Sequence, residues 1–172
     1  MGRDKAGVVV DDLAMAEHVR RALAPAVDEV WLSRRLDQDP RVPGLPALTV
    51  VRDAGTGPLG GLAAALDRAG PRSIVVAVAC DMPFVDTALL RELLAALAGH
   101  DAAVPLLDGV PQVGCSAWSE SVSRVAAELV ASGHGAPRDL VRHIDTVMVD
   151  GERWRRQLRS IEEVGDLSAE LS

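Results

Sequence analysis

The stretch Ser73-Ile74-Val75-Val76-Ala77-Val78-Ala79-Cys80-Asp81-Met82-Pro83 decides how the rest of the chain is read. Its first seven residues carry no charge and are rich in β-branched side chains, which predicts a strand that is apolar on both faces. Such a strand belongs in the middle of a parallel sheet with helices on either side. Upstream of it, Pro58 suits the first turn of a helix that ends near Ala69-Gly70-Pro71. Asp53 to Gly57 is a turn-rich loop, Leu48 to Val51 a strand, and Val27 to Ser33 another. Between these strands, Asp37 to Pro46 is a loop holding three prolines and Gly44. Asp11 or Asp12 caps a first helix running to about Ala24, with Leu13, Ala16, Val19, Ala22 and Leu23 on its apolar face. Downstream, Asp86 caps a helix with Leu89, Leu90, Leu93, Leu94 and Leu97 at helical spacing. Ala102 to Leu107 reads as a strand, Asp108-Gly109 as a turn, and Gln112 to Trp118 as extended chain. A helix opens at Ser119 or Ser121 and is broken at Gly133-His134-Gly135. Arg138 to His143 is a short helix, Thr146 to Val149 a strand, and a last helix begins near Glu162. Strands alternating with helices predict an α/β fold, one domain over residues 1–172, with a mostly parallel sheet.

The composition agrees with one soluble domain of 172 residues. Apolar residues make up 48% and charged residues 25%, ample for a core. The net charge of −7 argues against general nucleic-acid binding. With three Trp, one Phe and no Tyr, the core must be built from Ala, Val and Leu. No apolar run is long enough for a membrane span, and no signal peptide opens the chain. The two cysteines, Cys80 and Cys115, make neither a disulfide framework nor a metal-binding spacing, and the expected location is the cytoplasm. Of the 18 basic residues only Lys5 is lysine. An Arg-rich surface is the ordinary product of a GC-rich gene, so a single surviving lysine draws attention, because lysine and arginine are not equivalent at a phosphate.

Parallel α/β sheets bind ligands at the carboxyl ends of their strands. Three segments fall there. Asp81 follows the strongest strand, where a carboxylate needs a cation; it reads as a Mg²⁺ ligand beside phosphate oxygens or as a helix cap, a role Asp86 fills better. Asp53-Ala54-Gly55-Thr56-Gly57-Pro58-Leu59-Gly60-Gly61-Leu62 reads as a loop that lets a ligand approach the backbone at a helix N-terminus, or as an ordinary glycine-rich connection. Arg3 and Lys5, in Met1-Gly2-Arg3-Asp4-Lys5, read as neutralising a triphosphate or as a solvated chain start. The four histidines show no ligand spacing, and Cys115 has no neighbouring base in sequence. Arg153-Trp154-Arg155-Arg156 is a basic cluster best read as a solvated face.

In this order, Met1-Gly2-Arg3-Asp4-Lys5, Asp53, Gly57-Pro58-Leu59-Gly60-Gly61-Leu62 and Cys80-Asp81-Met82-Pro83-Phe84 resemble the molybdenum cofactor guanylyltransferases. More broadly they resemble nucleotidyltransferases of the glycosyltransferase-A-like, Rossmann-type fold, a three-layer sandwich. The resemblance runs from residue 1 to about residue 118 and more faintly to the end. It implies transfer of GMP from GTP to the terminal phosphate of molybdopterin, with release of pyrophosphate and Mg²⁺ as cofactor. Lys5 and Asp81 are implied as catalytic, Lys5 at the phosphates and Asp81 at the metal. Arg3, Ser33, Asp53, Gly57, Gly60 and Gly61 are implied as nucleotide contacts, with Ser33 where the family often has Asn. The implied partners are GTP and the molybdopterin cofactor, with molybdoenzymes or other cofactor-biosynthesis proteins beyond them, and neither nucleic acid nor membrane.

The pattern departs from the family twice. The family carries a β-strand and a Leu-Ala-Gly-Gly-x-Ser-x-Arg loop ahead of its Met-Gly-x-Asp-Lys, whereas these residues begin inside that motif. The expectation is therefore a gap in the sheet, a lost phosphate contact and weak or no activity from these 172 residues alone. Near the end, the family's Asn-x-Asn-Thr-Pro-Glu-Asp-Leu, whose second Asn (or an Asp) helps at the metal, is replaced by Ser160-Ile161-Glu162-Glu163-Val164-Gly165-Asp166-Leu167, in which either Glu162 substitutes as a carboxylate ligand or that contact is lost. A CTP-using or other-acceptor enzyme, and a non-catalytic nucleotide- or molybdoenzyme-binding relative, are the competing readings.

Overall fold

The computed structural model describes residues 5–53 and 55–161. The last helix expected near Glu162 lies outside them. A single turn of 3₁₀ helix, Lys5–Gly7, leads into a hairpin of two short strands, β1 (Val9–Val10) and β2 (Leu13–Ala14). Asp11 and Asp12 form its turn, with φ of 44° and 65°, instead of capping a helix. A two-residue hairpin needs positive φ at both central positions, and Asp is among the few residues that accept it. Helix α1 (Met15–Leu23) therefore starts later than expected and has no side-chain cap. Its Glu17 is buried and bonds Arg20 and Arg21 one turn on, at 2.7 and 2.8 Å.

Strands β3 (Trp31–Arg35) and β4 (Thr49–Asp53) pair in parallel, Trp31 opposite Thr49 and Arg35 opposite Asp53. The expected start at Val27 is wrong because the proline-bearing loop delays β4 to Thr49, so β3 finds a ladder partner only from Trp31. Helix α2 (Pro58–Ala69) follows, with Pro58 in its first turn. Strand β5 (Ile74–Val78) comes next, then α3 (Thr87–Ala96), capped by the Asp86 carboxylate, which accepts from the Leu89 amide at 2.9 Å. The chain continues through β6 (Ala102–Leu107), β7 (Val110–Pro111), β8 (Cys115–Ser119), α4 (Ser123–Ala131), α5 (Pro137–Val141) and β9 (Thr146–Asp150).

The sheet is mixed, which corrects the expectation of a mostly parallel one. β5 pairs antiparallel with β8, β8 antiparallel with β6, and β6 parallel with β9 on its other edge. β5, β6 and β9 still run in one direction, with β8 reversed between the first two. Among the described residues β5 bonds only to β8, and β3 and β4 form a separate pair. Helices cover both faces. Strand residues alternate between two cores: Val76, Val78, Ala103 and Ala117 face α1 and α3, while Val75, Ala77, Val104 and Trp118 face α2, α4 and α5. This is the three-layer arrangement. Aliphatic side chains fill it, and Leu59, Leu66, Leu89, Leu90 and Leu93 are completely buried, worth about 2 kcal/mol each.

After β9 the chain straps back over α3. Arg155 bonds Asp108 through two nitrogens at 2.6 and 2.7 Å, Arg153 pairs with Glu92, and Trp154 Nε1 donates to Glu92 at 3.0 Å. The basic cluster is thus a clamp on acidic neighbours. The strap ends with the Ile161 amide donating to the Asp81 carbonyl at 2.8 Å. Among the described residues no helix is long and apolar enough to cross a membrane.

Candidate active site

Two groups of side chains gather where β5 and the β3–β4 pair end. The first follows β5. The Ala79 amide donates to the Gly114 carbonyl at 2.7 Å and the Met82 amide to the Ala79 carbonyl at 3.2 Å, so the chain turns sharply and carries Asp81 out of the sheet. Cys80 packs inward against Ala6, Ala16, Leu32 and Val42, which fixes the turn from beneath and ties it to the segment that holds Lys5. Lys5 Nζ then lies 3.5 Å from Asp81 Oδ2, with the lysine side chain 44% and the carboxylate 25% exposed. This is a loose, solvent-open pair: an ammonium and a carboxylate side by side, each free to take a further partner.

The second group surrounds the start of α2. Asp53, at the end of β4, accepts the Gly55 amide on Oδ1 at 2.6 Å, an Asx turn that shapes the loop. A Cβ on Gly61 would lie 2.5 Å from Ser33 Oγ and 3.6 Å from Asp53 Oδ2; one on Gly60 would strike Thr56 Oγ1. The two glycines therefore admit the Ser33, Asp53 and Thr56 side chains against the helix backbone, and both are buried. Sequence reasoning gave them a ligand's approach; the space beside them is filled by those hydroxyls. The sequence predicts no role for Thr56; only its spacing four residues before Gly60 hints at one. Gly57 has φ +81°, and its Cβ would come 2.7 Å from the Gly135 carbonyl.

The two groups belong to one region. α2 packs on β3, β4 and β5 together. Val30 packs into the core that holds Val76 and Val78, whereas Leu32 packs with Cys80, so β3 and β5 advance in the same direction. Arg3 and Glu162 lie outside the described residues. Ile161, the residue before Glu162, is bonded to the backbone of Asp81. Among the described residues no three His, Cys, Asp or Glu cluster as a metal cage. Cys115 is inert: burial, with a smaller push from Asp86, raises its thiol to about 12.

Comparison with known proteins finds relatives in sequence and in fold. The chain is 40% identical over 108 residues to a probable molybdenum cofactor guanylyltransferase of Pelotomaculum thermopropionicum, covering 61% of this chain and 50% of that protein. It spans about half the length of the curated relatives it matches. In fold it is similar to molybdopterin-guanine dinucleotide biosynthesis protein A of Archaeoglobus fulgidus, with a TM-score of 0.81 and 22% identity over 98% of this chain and 89% of that one. It is also similar to 2-C-methyl-D-erythritol 4-phosphate cytidylyltransferase of Thermus thermophilus, with a TM-score of 0.76 and 19% identity over 96% and 91% of the two chains. The family described as the MobA-like NTP transferase domain matches residues 1–149, and the chain belongs to it.

Proposed function

We propose that this chain transfers GMP from GTP to the phosphate of the molybdopterin cofactor. The observation that carries the reading is the Lys5–Asp81 pair, open to solvent at the end of β5. An oxygen of the acceptor phosphate attacks the α-phosphorus of GTP, the new P–O bond forms, and the bond to the bridging oxygen breaks as pyrophosphate leaves. Lys5 meets the phosphates and neutralises charge that builds on the leaving group. Asp53, Ser33 and Gly57 hold the nucleoside at the start of α2. Gly60 and Gly61 serve indirectly, through the Ser33 and Thr56 hydroxyls they admit. Arg3 adds a second cation at the triphosphate.

Asp81 suits Mg²⁺. Mg²⁺ prefers one or two carboxylates plus substrate phosphates and water over an all-protein cage, and a single part-exposed carboxylate beside a lysine is that donor set. Glu162 is the second carboxylate of this reading. When bound, Mg²⁺ supplies charge neutralisation along the triphosphate. The expected partners are GTP and the cofactor first, then molybdoenzymes or other cofactor-biosynthesis proteins. A cytoplasmic setting goes with the reading, and both cysteines are unbridged.

A CTP-using enzyme is the second reading. The small Ser33 hydroxyl stands where the resembling guanylyltransferases often have Asn, and the Thermus neighbour in fold is named a cytidylyltransferase. Titrating GTP against CTP with Mg²⁺ decides between them, on these residues and on a version extended upstream in frame. Tighter binding of GTP, with cofactor-dependent release of pyrophosphate, is expected. Preference for CTP selects the second reading, and binding of neither nucleotide by either version overturns both.

A further inference from the structure

The break at Gly133-His134-Gly135 does more than end α4. Three amides fasten it to that helix: Ser132 and Gly133 donate to the Glu128 and Val130 carbonyls, and His134 to the Leu129 carbonyl, each at 3.0 Å. From the other side, Asp139 in α5 faces the His134 ring at 3.4 Å. The loop is thus held at both ends, and it presses on the loop that opens α2. The Gly135 carbonyl accepts the Leu59 amide at 2.9 Å, satisfying one of the free N–H groups at that helix start. A Cβ on Gly57 would lie 2.7 Å from the Gly135 carbonyl, and one on Gly135 would lie 2.9 Å from the Thr56 carbonyl. Backbone meets backbone in both directions, with no flexible side chain between to give way.

The consequence concerns the shape of the Asp53–Gly57 loop. Asp53 fixes it from within through the Gly55 amide. The Gly60 amide also donates to the Gly57 carbonyl at 3.0 Å, so the loop is held from the helix side as well, and Gly135 adds the contact from outside. A methyl group at position 135 would have to push the Thr56 carbonyl away, and Thr56 carries the hydroxyl that rests over Gly60. Unlike Gly57, Gly135 is outside the left-handed region, so alanine there meets only this close approach and no backbone strain.

We propose that Gly135 is a positioning residue for the nucleotide site: its backbone, braced by α4 and α5, sets the Thr56–Gly57 loop in the form that receives the nucleoside. The inference rests on the reading that this loop holds the nucleoside of GTP. It adds that the loop's geometry is imposed from a distant part of the chain.

The test is Gly135→Ala, measured with GTP and Mg²⁺ as the probe. GTP is expected to bind at least tenfold more weakly, with KM for GTP raised more than kcat is lowered. Hydrogen exchange at the Leu59 amide is expected to quicken while amides of β6 keep their protection. Gly99→Ala controls for a general loss of stability: Gly99 has φ +83° and open space around it, so alanine there strains a remote turn alone. It is expected to leave GTP affinity within about twofold. If Gly135→Ala binds GTP as the parent does, or if Gly99→Ala loses affinity equally, the inference is overturned. If the parent chain itself binds no nucleotide, the functional reading fails, and this inference with it.

Discussion

Strands β5 and β6 make an instructive pair. β5, Ile-Val-Val-Ala-Val, is the more hydrophobic and β-branched, and by its residues it should be the most deeply buried strand. β6, Ala-Ala-Val-Pro-Leu-Leu, is less hydrophobic and contains a proline. Yet Ala102, Ala103 and Val104 in β6 are completely buried, while Ile74 in β5 is 52% exposed and the other four residues are half-buried. The faces do not explain this, since both strands lie between the same two helical layers. The edges do. β6 has β8 and β7 along one edge and β9 along the other, whereas β5 has β8 alone among the described residues. Side-chain pattern reports what a strand's faces meet; it is silent on how many edges are paired. The half-open strand is also the one that ends at Asp81. Beside it, α1 and α2 hold β3–β4 and β5 in one layer across a seam that, among the described residues, no backbone ladder closes.

Each strand is followed by an aspartate with a basic partner, and the largest expected effect separates the two. Asp81→Ala, after β5, is expected to cut pyrophosphate release by about a hundredfold to a thousandfold, as loss of a group that manages charge in the transition state does. It should leave thermal stability nearly unchanged, because an open ion pair such as Lys5–Asp81 contributes about 1 kcal/mol or less. Asp108→Ala, after β6, removes the bidentate contact with Arg155 and should leave pyrophosphate release intact. Equal losses of activity in the two variants would show that the end of β5 has no special standing.

Much of this contrast was legible in the sequence and some was not. Pro58, Asp86 and the run Ala102 to Leu107 announced their elements because the signal is local: a ring that suits a first turn, a carboxylate that caps, a strand bounded by turn residues. Strand pairing is not local. Nothing in β5 itself says that its neighbour is the reversed β8. Nor does Asp11-Asp12 reveal whether it caps a helix or turns a hairpin until Val9–Val10 and Leu13–Ala14 are seen to pair. At the site, Lys5 and Asp81 stood out by rarity and by position, and the structure brings them together. Gly135 looked like a helix breaker because its partner, the Thr56–Gly57 backbone, is far away in sequence.

The next effect concerns the seam, which packing holds. Glu17 braces α1 there, with 7% of its side chain exposed. Hydrogen bonding from Arg20, opposed by burial and helped by Arg21, lowers its carboxyl from 4.5 to about 2. A depressed carboxyl stabilises the fold above its unfolded value, and the contribution drains away as pH falls from about 4.5 to about 2. A shift of that size corresponds to about 3 kcal/mol. Glu17→Gln should therefore lower stability at pH 7 by up to about 3 kcal/mol in urea unfolding and flatten the acid limb over that window. Hydrogen exchange at pH 3 should find α1 and β3 opening before β6. If β6 opens first, or the acid limb is unaltered in the variant, Glu17 does not secure the seam.

The smallest effect tests the comparison most directly, because one substitution is made in both strands. Val104→Ala in β6 removes two methyl groups from a completely buried site walled by α2, α4 and α5. Lost transfer energy and the cavity left behind together amount to about 2 to 3 kcal/mol. Val76→Ala in β5 removes the same atoms from a half-buried site, where part of the side chain never left water and the open edge lets neighbours relax, so about 1 kcal/mol is expected. Urea midpoints at a constant slope measure the difference. Exchange rates sharpen it. Alternate amides of β5, those turned away from β8, should exchange quickly, while the amides of β6 should be slow on both edges, Pro105 having none to offer. Val76→Ala costing as much as Val104→Ala, with every β5 amide protected, would mean that β5 has a second partner in solution and that the seam beside it is closed.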